Sequence, residues 1–375
     1  AYGSTAQGAV NVNTAVILNN AQTWTNNAAA AFTVNATLNN GGNTLTFTGS
    51  GTTSFGNSAA AVISGAGGVT MNGTGRLFLG AGQAPAHTYN GATTLNGGVT
   101  MISGNLPSNS NLVMNGGVLE SYWTTGLTRA QGTGAGQIQI TGGESGFGTN
   151  GSTGATFDIG AVTWGSATFN PTKFVLQTVY SQGTSSATFS SAINLNGATR
   201  TIVANSGAAG TATSTISGVI SNTSGTAGLV KEGPGRLNLT QTNTFNGPVT
   251  VSGGSLFVSV LANGGSNSGL GNSTAAASNI LLANGTTLGY TGGAVSTNRS
   301  FTINGTAAGH GASIDASGSG ALTMTATASP AYGTVDQTRT LTLTGTNTAN
   351  NTFAANIADN GTGAVSLTKS GTGAW

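Results

Sequence analysis

Apolar and polar residues alternate with a period of two along much of the chain. Residues 44–48 read Thr-Leu-Thr-Phe-Thr and residues 340–344 read Thr-Leu-Thr-Leu-Thr, so apolar side chains share one face and threonines share the other. Such alternation predicts strands that are buried on one side. Turn sequences of Asn or Ser followed by two glycines recur between these stretches, at residues 40–42, 96–98, 115–117 and 252–254. We therefore expect an essentially all-β structure.

Longer repeats are superimposed on this alternation. Residues 229–237 match residues 69–77 and, more loosely, residues 367–375. Further matches pair these segments: 243–254 with 87–98, 112–119 with 280–288, and Arg129 with Arg299. The matches predict three parts of one continuous solenoid: an initial segment over residues 1–62, a first super-repeat over 63–215 and a second over 216–375 that ends within a repeat.

Short strands in tandem repeats are best accommodated by a chain that coils so that each turn pairs with the turn below it. We expect a β-solenoid of the right-handed parallel β-helix type, with coils of about 20 residues spaced by roughly 4.8 Å. Aliphatic side chains would form a column inside, and Thr, Ser and Asn would face water. A β-sandwich array and a β-propeller are the alternative folds.

Composition excludes several classes of protein. Charged residues make up 4% of the 375 residues, against roughly 25% in typical soluble domains, yet 37% are hydrophobic, which is enough to bury a core. The nine Lys and Arg are scattered from Arg76 to Lys369, so nucleic acid is not an expected partner. No apolar run approaches the length of about 20 residues that a membrane helix needs, so we expect no membrane-spanning segment.

One block resembles a known family. Residues 229–258 are similar to the autotransporter-associated β-strand repeat, also called the passenger-associated transport repeat. The positions that carry the resemblance are Lys231, Gly233, Gly235, Leu237, Leu239, Asn243, Thr244, Phe245, Gly247, Thr250, Val251, Gly253, Gly254 and Leu256. The earlier copy departs from the pattern at Met71 and His87 and has extra residues at 83–86. The resemblance implies a β-helical passenger or surface fibre that is secreted to the bacterial cell surface.

Candidate chemistry is sparse. Carbohydrate-cleaving β-helices need two or three carboxylates that converge on one groove. The seven acids here are far apart in the sequence: Glu120, Glu144, Asp158, Glu232, Asp315, Asp336 and Asp359. His87 and His310 have no neighbouring metal-ligating residues. We expect no catalytic, cofactor-binding or metal-binding residues, no cofactor, and no enzymatic activity.

Aromatic and threonine-rich segments suggest two possible ligand surfaces. The aromatic residues concentrated between positions 120 and 180 could bind sugars, although filling of the core is the favoured interpretation: Tyr122, Trp123, Trp164, Phe169, Phe174 and Tyr180. The threonines of residues 340–344 and 323–327 would form a flat array if they align on one face over successive coils.

The sequence therefore predicts a secreted structural or adhesive solenoid of a cell surface or extracellular filament. End coils with unpaired backbone groups predict head-to-tail self-association or continuation into a longer chain. Surface or matrix glycans are possible partners. The alternative function is a solenoid that binds polysaccharide or ice through flat Thr and Asn rows.

Overall fold

The computed structural model describes most of the chain. The described residues are 8–55, 60–80, 86–104, 106–122, 126–151, 154–181, 185–207 and 210–375. They divide into two compact units, the first over residues 1–188 and 207–212 and the second over 189–206 and 213–375. The division into an initial segment and two super-repeats stays a prediction.

The secondary structure is almost entirely short strands. The first unit contains β1 Val10–Val12, β2 Val16–Ile17, β3 Gln22–Thr25, β4 Phe32–Val34, β5 Leu38–Asn39, β6 Leu45–Thr48, β7 Thr52–Phe55, β8 Ile63–Ser64, β9 Val69–Met71, β10 Arg76–Leu79, β11 Thr93–Leu95, β12 Val99–Ile102, β13 Leu112–Asn115, β14 Val118–Ser121, β15 Gly126–Thr128, β16 Ile138–Gly142, β17 Glu144–Thr149, β18 Ala155–Asp158, β19 Val162–Thr163 and β20 Lys173–Leu176. Strand β21, Ser186–Phe189, runs from the first unit into the second.

The second unit continues in the same way. It contains β22 Ile193–Asn194, β23 Arg200–Ala204, β24 Thr213–Ile216, β25 Ile220–Ser221, β26 Leu229–Glu232, β27 Arg236–Leu239, β28 Val249–Val251, β29 Ser255–Val258, β30 Ile280–Leu282, β31 Thr286–Tyr290, β32 Val295–Thr297, β33 Thr302–Ile303, β34 His310–Ala316, β35 Leu322–Met324, β36 Ala331–Tyr332, β37 Arg339–Thr344, β38 Thr352–Phe353 and β39 Val365–Lys369. One 3-10 helix, Ala277–Asn279, precedes β30. Within the described residues, no helix is long and apolar enough to cross a membrane.

Within each unit the strands stack in parallel as faces of a coil. In the first unit the faces run β1-β4-β7-β10-β12-β14-β17-β20, β3-β6-β9-β11-β13-β16, β2-β5-β8 and β15-β18. In the second they run β23-β26-β28-β30-β33-β36, β24-β27-β29-β31-β34-β37-β39, β32-β35-β38 and β22-β25. Neighbours in each face come from successive turns of the chain, so the predicted all-β solenoid of parallel coils is confirmed. Its handedness stays a prediction.

Side chains in register form the core. Phe47, Met71, Leu95, Met114 and Ile140 occupy equivalent positions on successive strands and are each at most 2% exposed. Each side chain therefore packs on the one a coil above and the one a coil below, which gives the predicted apolar column.

Coil length varies more than the sequence indicated. One short coil runs from Val99 to its strand partner Val118, whereas a much longer one runs from Glu144 to its partner Lys173. The expected coil of about 20 residues is therefore near the lower limit, because extra residues enter the turns while the strand pairs keep their register.

The two copies of the recognised repeat have the same pattern of strand pairing but use different sheets. Strands β9 and β10 of one coil pair with β11 and β12 of the next, and β26 and β27 pair with β28 and β29. One repeat is thus two successive coils on the same pair of faces. Its consensus glycines lie where neighbouring coils approach closely.

Gly91 marks such an approach. A Cβ atom at this position would meet the backbone carbonyl carbon of Gly67 well inside van der Waals contact, and Gly247 stands in the same relation to Ala227. Gly293, in contrast, has open space around it. Backbone crowding of this kind requires glycine whatever the local dihedral angles are.

We predict that Gly91→Ala destabilises the protein by about 1–3 kcal/mol because two coils must move apart. Gly293→Ala is the matched control and should change stability by no more than about 0.5 kcal/mol. The urea concentration at the midpoint of unfolding measures both. Equal midpoints for the two variants would contradict the close approach of these coils.

Candidate functional site

Buried cations bind the backbone of the turns. Arg129, Lys231, Arg299 and Arg339 are each at most 8% exposed, although no anionic side chain pairs with them in the described part of the chain. Their donors reach carbonyl oxygens instead. Buried charges require hydrogen bonds that compensate for the loss of water, and the carbonyl groups of the turns supply them.

Lys231 shows the arrangement within the recognised repeat. Its Nζ donates to the carbonyl oxygens of Gly233 and Gly253, each at 2.7 Å, and also to that of Gly235. Burial lowers the pKa of Lys231 to about 8, so the side chain remains an ammonium at neutral pH. In the earlier copy the corresponding residue is Met71, which is also buried but carries no charge.

Arg129 and Arg299, which the sequence comparison paired, hold equivalent loops. The guanidinium of Arg129 donates to carbonyl oxygens in the loop before β13: those of Leu106, Pro107 and Ser110, at 2.6–3.0 Å. That of Arg299 donates to carbonyl oxygens in the loop before β30, including those of Ala262, Ser266, Gly271 and Ser273, at 2.9–3.1 Å. Both arginines thus fix a loop between two coils.

The sequence pI of about 9.1 therefore does not describe the surface. Four of the nine cations are buried, and Glu120 is the one buried acid among seven, which leaves five cations and six acids in contact with water. The sequence showed only that the cations are scattered along the chain and did not predict this internal use. For Lys231, the glycines that follow it at 233 and 235 were the available indication.

Arg76 and Arg236, which are equivalent in the two copies, both lie over outward-facing side chains. The Arg76 guanidinium carbon lies 4.6 Å from the Phe78 ring centroid and 4.5 Å from that of Tyr180. Arg236 lies 3.6 Å from the centroid of Phe257. Cation–π contact of this kind covers apolar surface on the outside of the sheet.

Glu120 is fully buried beneath the segment that follows β20. Its carboxylate accepts hydrogen bonds from Asn150 Nδ2 at 3.1 Å, from Ser181 Oγ at 3.3 Å and from the Thr178 hydroxyl, and it lies 3.6 Å from an Arg76 nitrogen. These groups satisfy the carboxylate and hold residues 177–181 against the outer face of β14. Within that segment, the Val179 side chain points away and is 61% exposed.

The structure does not gather the remaining acids. Asp158, Asp336 and Asp359 accept hydrogen bonds from backbone N–H groups within or between turns. Asp315 accepts one from Ser317, and Glu144 pairs with Lys173 at 3.2 Å. Over the described ranges, no group of three or more His, Asp or Glu side chains could hold a metal ion.

The two histidines lie in different surroundings. His87 is 6% exposed, and its Nδ1 accepts a hydrogen bond from the Ile63 backbone N–H at 3.0 Å. Burial lowers its pKa to about 4. His310 opens β34, where its ring packs against Gly305. The structure does not bring the two together.

The largest rings between positions 120 and 180 that the structure describes lie in the core, as the favoured interpretation predicted. Trp164, Phe169 and Phe174 are fully buried and form edge-to-face pairs with centroids 5.4–6.4 Å apart. Tyr122 and Tyr180 are half-buried. Trp123 lies outside the described residues. The three largest buried rings therefore fill the core and present no sugar-binding surface.

The two threonine rows singled out from sequence do not share a face. Thr340, Thr342 and Thr344 lie on β37, whereas Thr323 lies on β35 in a different sheet. The condition for a single flat array of these residues is therefore not met. Thr342 does belong to an outward column of hydroxyl residues that crosses five strands: Ser255, Thr287, Ser313, Thr342 and Thr368.

A column built of threonine alone occurs in the first unit, and sequence reasoning missed it. Thr23, Thr46, Thr70 and Thr94 are direct partners on β3, β6, β9 and β11. All four are exposed or half-exposed. Each follows the previous one by a single coil, and this nearly constant spacing was the sequence indication that could have found them.

These observations define the class of protein. It is a β-solenoid with parallel coils, in which buried cations bind the protein's own backbone and the outward faces carry mainly hydroxyl and amide groups. The passenger-associated-transport-repeat model matches residues 69–100 and 229–257, which run from β9 into β12 and from β26 into β29.

A relative supports the same assignment. Over 184 residues the chain is 39% identical to the adhesin BmaC autotransporter of Brucella suis biovar 1 (strain 1330). The matched segment covers 49% of this chain and 5% of the relative. The chain thus spans a small part of that relative's length. No solved structure matches the chain significantly. The chain thus contains two copies of the passenger-associated transport repeat and is similar to part of an autotransporter, and both comparisons support secretion to the cell surface.

We predict that Lys231→Met destabilises the second repeat by about 1–3 kcal/mol because three carbonyl groups lose their ammonium donor. Lys369→Met is the matched control, since the Lys369 ammonium binds the carbonyl groups of Ser370 and Gly371 in the exposed turn after β39. Its effect should stay within about 0.5 kcal/mol. Hydrogen exchange of residues 249–258 measures the loss, and unchanged protection in Lys231→Met would contradict this role.

Proposed function

We propose that this chain is a structural and adhesive element of a surface passenger, which contacts external surfaces through its sheet faces and turns. The supporting observation is the 39% identity over 184 residues with an autotransporter named as an adhesin. A chain of stacked coils needs no binding pocket to present a large side surface.

The charge distribution suggests how such contacts are made. Because four cations and one acid are used internally, few ionic groups face outward relative to the hydroxyl and amide groups. Attachment by these neutral groups and by exposed side chains such as Val179 depends little on ionic strength, since salt screens charges and not neutral hydrogen bonds.

Beads coated with the purified chain test this proposal. We predict that they attach to epithelial cell layers or to deposited extracellular matrix more than albumin-coated beads do, and that attachment changes less than twofold between about 0.05 and 0.5 M salt, where ionic contacts are strongly screened. Attachment no greater than that of albumin would reject adhesion. A steep loss with salt would reject the neutral mode of contact.

A second candidate function is the binding of an uncharged polysaccharide. The observation that favours it is the column of Thr23, Thr46, Thr70 and Thr94, which repeats a hydroxyl group at the interstrand spacing of about 4.8 Å. The six strands of this face contain no charged residue. A neutral polymer with many hydroxyl groups is chemically complementary to such a face.

We predict that the double variant Thr46→Val and Thr70→Val lowers retention on immobilised cellulose, dextran or mannan at least fivefold while the fold is kept. Val230 occupies the place of Thr70 in the second copy, so the repeat accepts valine there. Thr250→Val, at the place of Thr94 and outside the column, is the control. Equal retention of the double variant and Thr250→Val would reject this face as the polysaccharide-binding site. Thermal hysteresis without retention would indicate ice binding instead.

Head-to-tail self-association and the lack of enzymatic activity stay predictions from the sequence. Sedimentation of the purified chain at several concentrations measures the first directly.

A further inference from the structure

His87 occupies a place that asparagine takes in two other coils. In the turn at residues 243–245, Asn243 Oδ1 accepts a hydrogen bond from the Ile220 N–H at 2.8 Å. Asn351 Oδ1 accepts one from the Leu322 N–H, also at 2.8 Å. His87 Nδ1 accepts the equivalent bond from the Ile63 N–H at 3.0 Å.

This bond closes one coil onto the next. Thr88 donates its backbone N–H to the Ile63 carbonyl at 2.9 Å, and Thr244 does the same to Ile220. In each turn, one isoleucine therefore makes two hydrogen bonds. Its N–H donates to the His or Asn side chain, and its carbonyl accepts from the backbone N–H of the threonine that follows. A buried N–H without a partner is costly, so this side chain is required to accept.

An asparagine oxygen accepts at every pH, but an imidazole nitrogen accepts only when it carries no proton. The bond to Ile63 therefore fixes the neutral imidazole with its hydrogen on Nε2. This Nε2 is buried and has no hydrogen-bond partner among the described residues. A proton on Nδ1 would place two donors against each other and remove the bond.

No anion offsets this effect. The ring of Tyr89 is the titratable group against His87, with centroids 6.3 Å apart, and burial raises the pKa of Tyr89 to about 12, so it is neutral. The charge of Arg129 affects the pKa of Tyr89 but not that of His87. The pKa of His87 is lowered by burial alone. Strand β8, which carries Ile63, contributes no titratable side chain.

The pH dependence has a definite sign. The unfolded chain binds a proton at His87 below a pKa of 6.5, whereas the folded chain does so only below about 4. The unfolded or opened state therefore binds more protons between these values, and the stability of the coil falls as the pH falls from about 6.5 to about 4.

We propose that His87 makes the first repeat an acid-sensitive joint: protonation releases the Ile63 N–H and opens this coil, while the coils closed by Asn243 and Asn351 stay shut. The joint does not depend on the adhesive function proposed above. It lets a surface protein loosen one coil in an acidic surrounding and close it again at neutral pH.

Hydrogen exchange of the full chain between pH 7.5 and pH 4 tests the joint. Relative to His87→Asn at the same pH, the wild-type amide of Ile63 should lose protection progressively below pH 6.5, up to roughly 300-fold, the factor that corresponds to the separation of the two pKa values. At pH 7.5 the two proteins should be equally protected. Equal protection at every pH would overturn the proposal.

The reverse substitution provides a second measurement. Asn243→His should transfer acid sensitivity to the amide of Ile220 and leave Ile63 unchanged relative to the wild type. Acid sensitivity that appears at neither amide in this variant while its neutral-pH protection is intact would overturn the mechanism. If His87→Asn does not fold, Asn243→His alone decides the question by the same comparison.

Discussion

The structure depends on one constraint: each backbone N–H and C=O that leaves the strand ladder at a turn must find another partner. Parallel coils satisfy one another along their strands, but the chain turns after every few residues and removes groups from the ladder. Unpaired buried backbone groups would cancel the free energy gained by stacking. The side chains at the turns are therefore selected as donors and acceptors. Asn243 accepts from an N–H, and Lys231 donates to three carbonyl groups.

This constraint explains the use of the rare charges. A cation with several donors can gather carbonyl groups from two coils, which no neutral side chain does as well. Arg129, Lys231, Arg299 and Arg339 are buried for this purpose, although buried charges are normally paired with opposite charges. The outward faces are left with mostly neutral polar groups. That division suits a passenger protein whose coils form a stable support and whose exterior makes contacts outside the cell.

The two copies of the repeat show which positions the constraint fixes. Where the second copy has Lys231 and Asn243, the first has Met71 and His87, yet the strands keep the same pairing pattern. Methionine fills the space of lysine without its donors, and histidine keeps the acceptor of asparagine but adds a titratable nitrogen. The fold tolerates both exchanges because the remaining ladder bonds are unchanged. The chemistry of the turn, however, differs between the copies.

The sequence by itself determined the strands, the repeat and the resemblance to the passenger-associated transport repeat, because period-two alternation and glycine-bearing turns are local properties. It also marked Met71 and His87 as departures. Only the tertiary structure decided which threonines form a column, since alignment depends on the length of every intervening coil. Those lengths are unequal, as the short coil from Val99 to Val118 and the long one from Glu144 to Lys173 show. The tertiary structure likewise decided that cations scattered along the chain are buried, because their carbonyl partners come mostly from the turn of another coil.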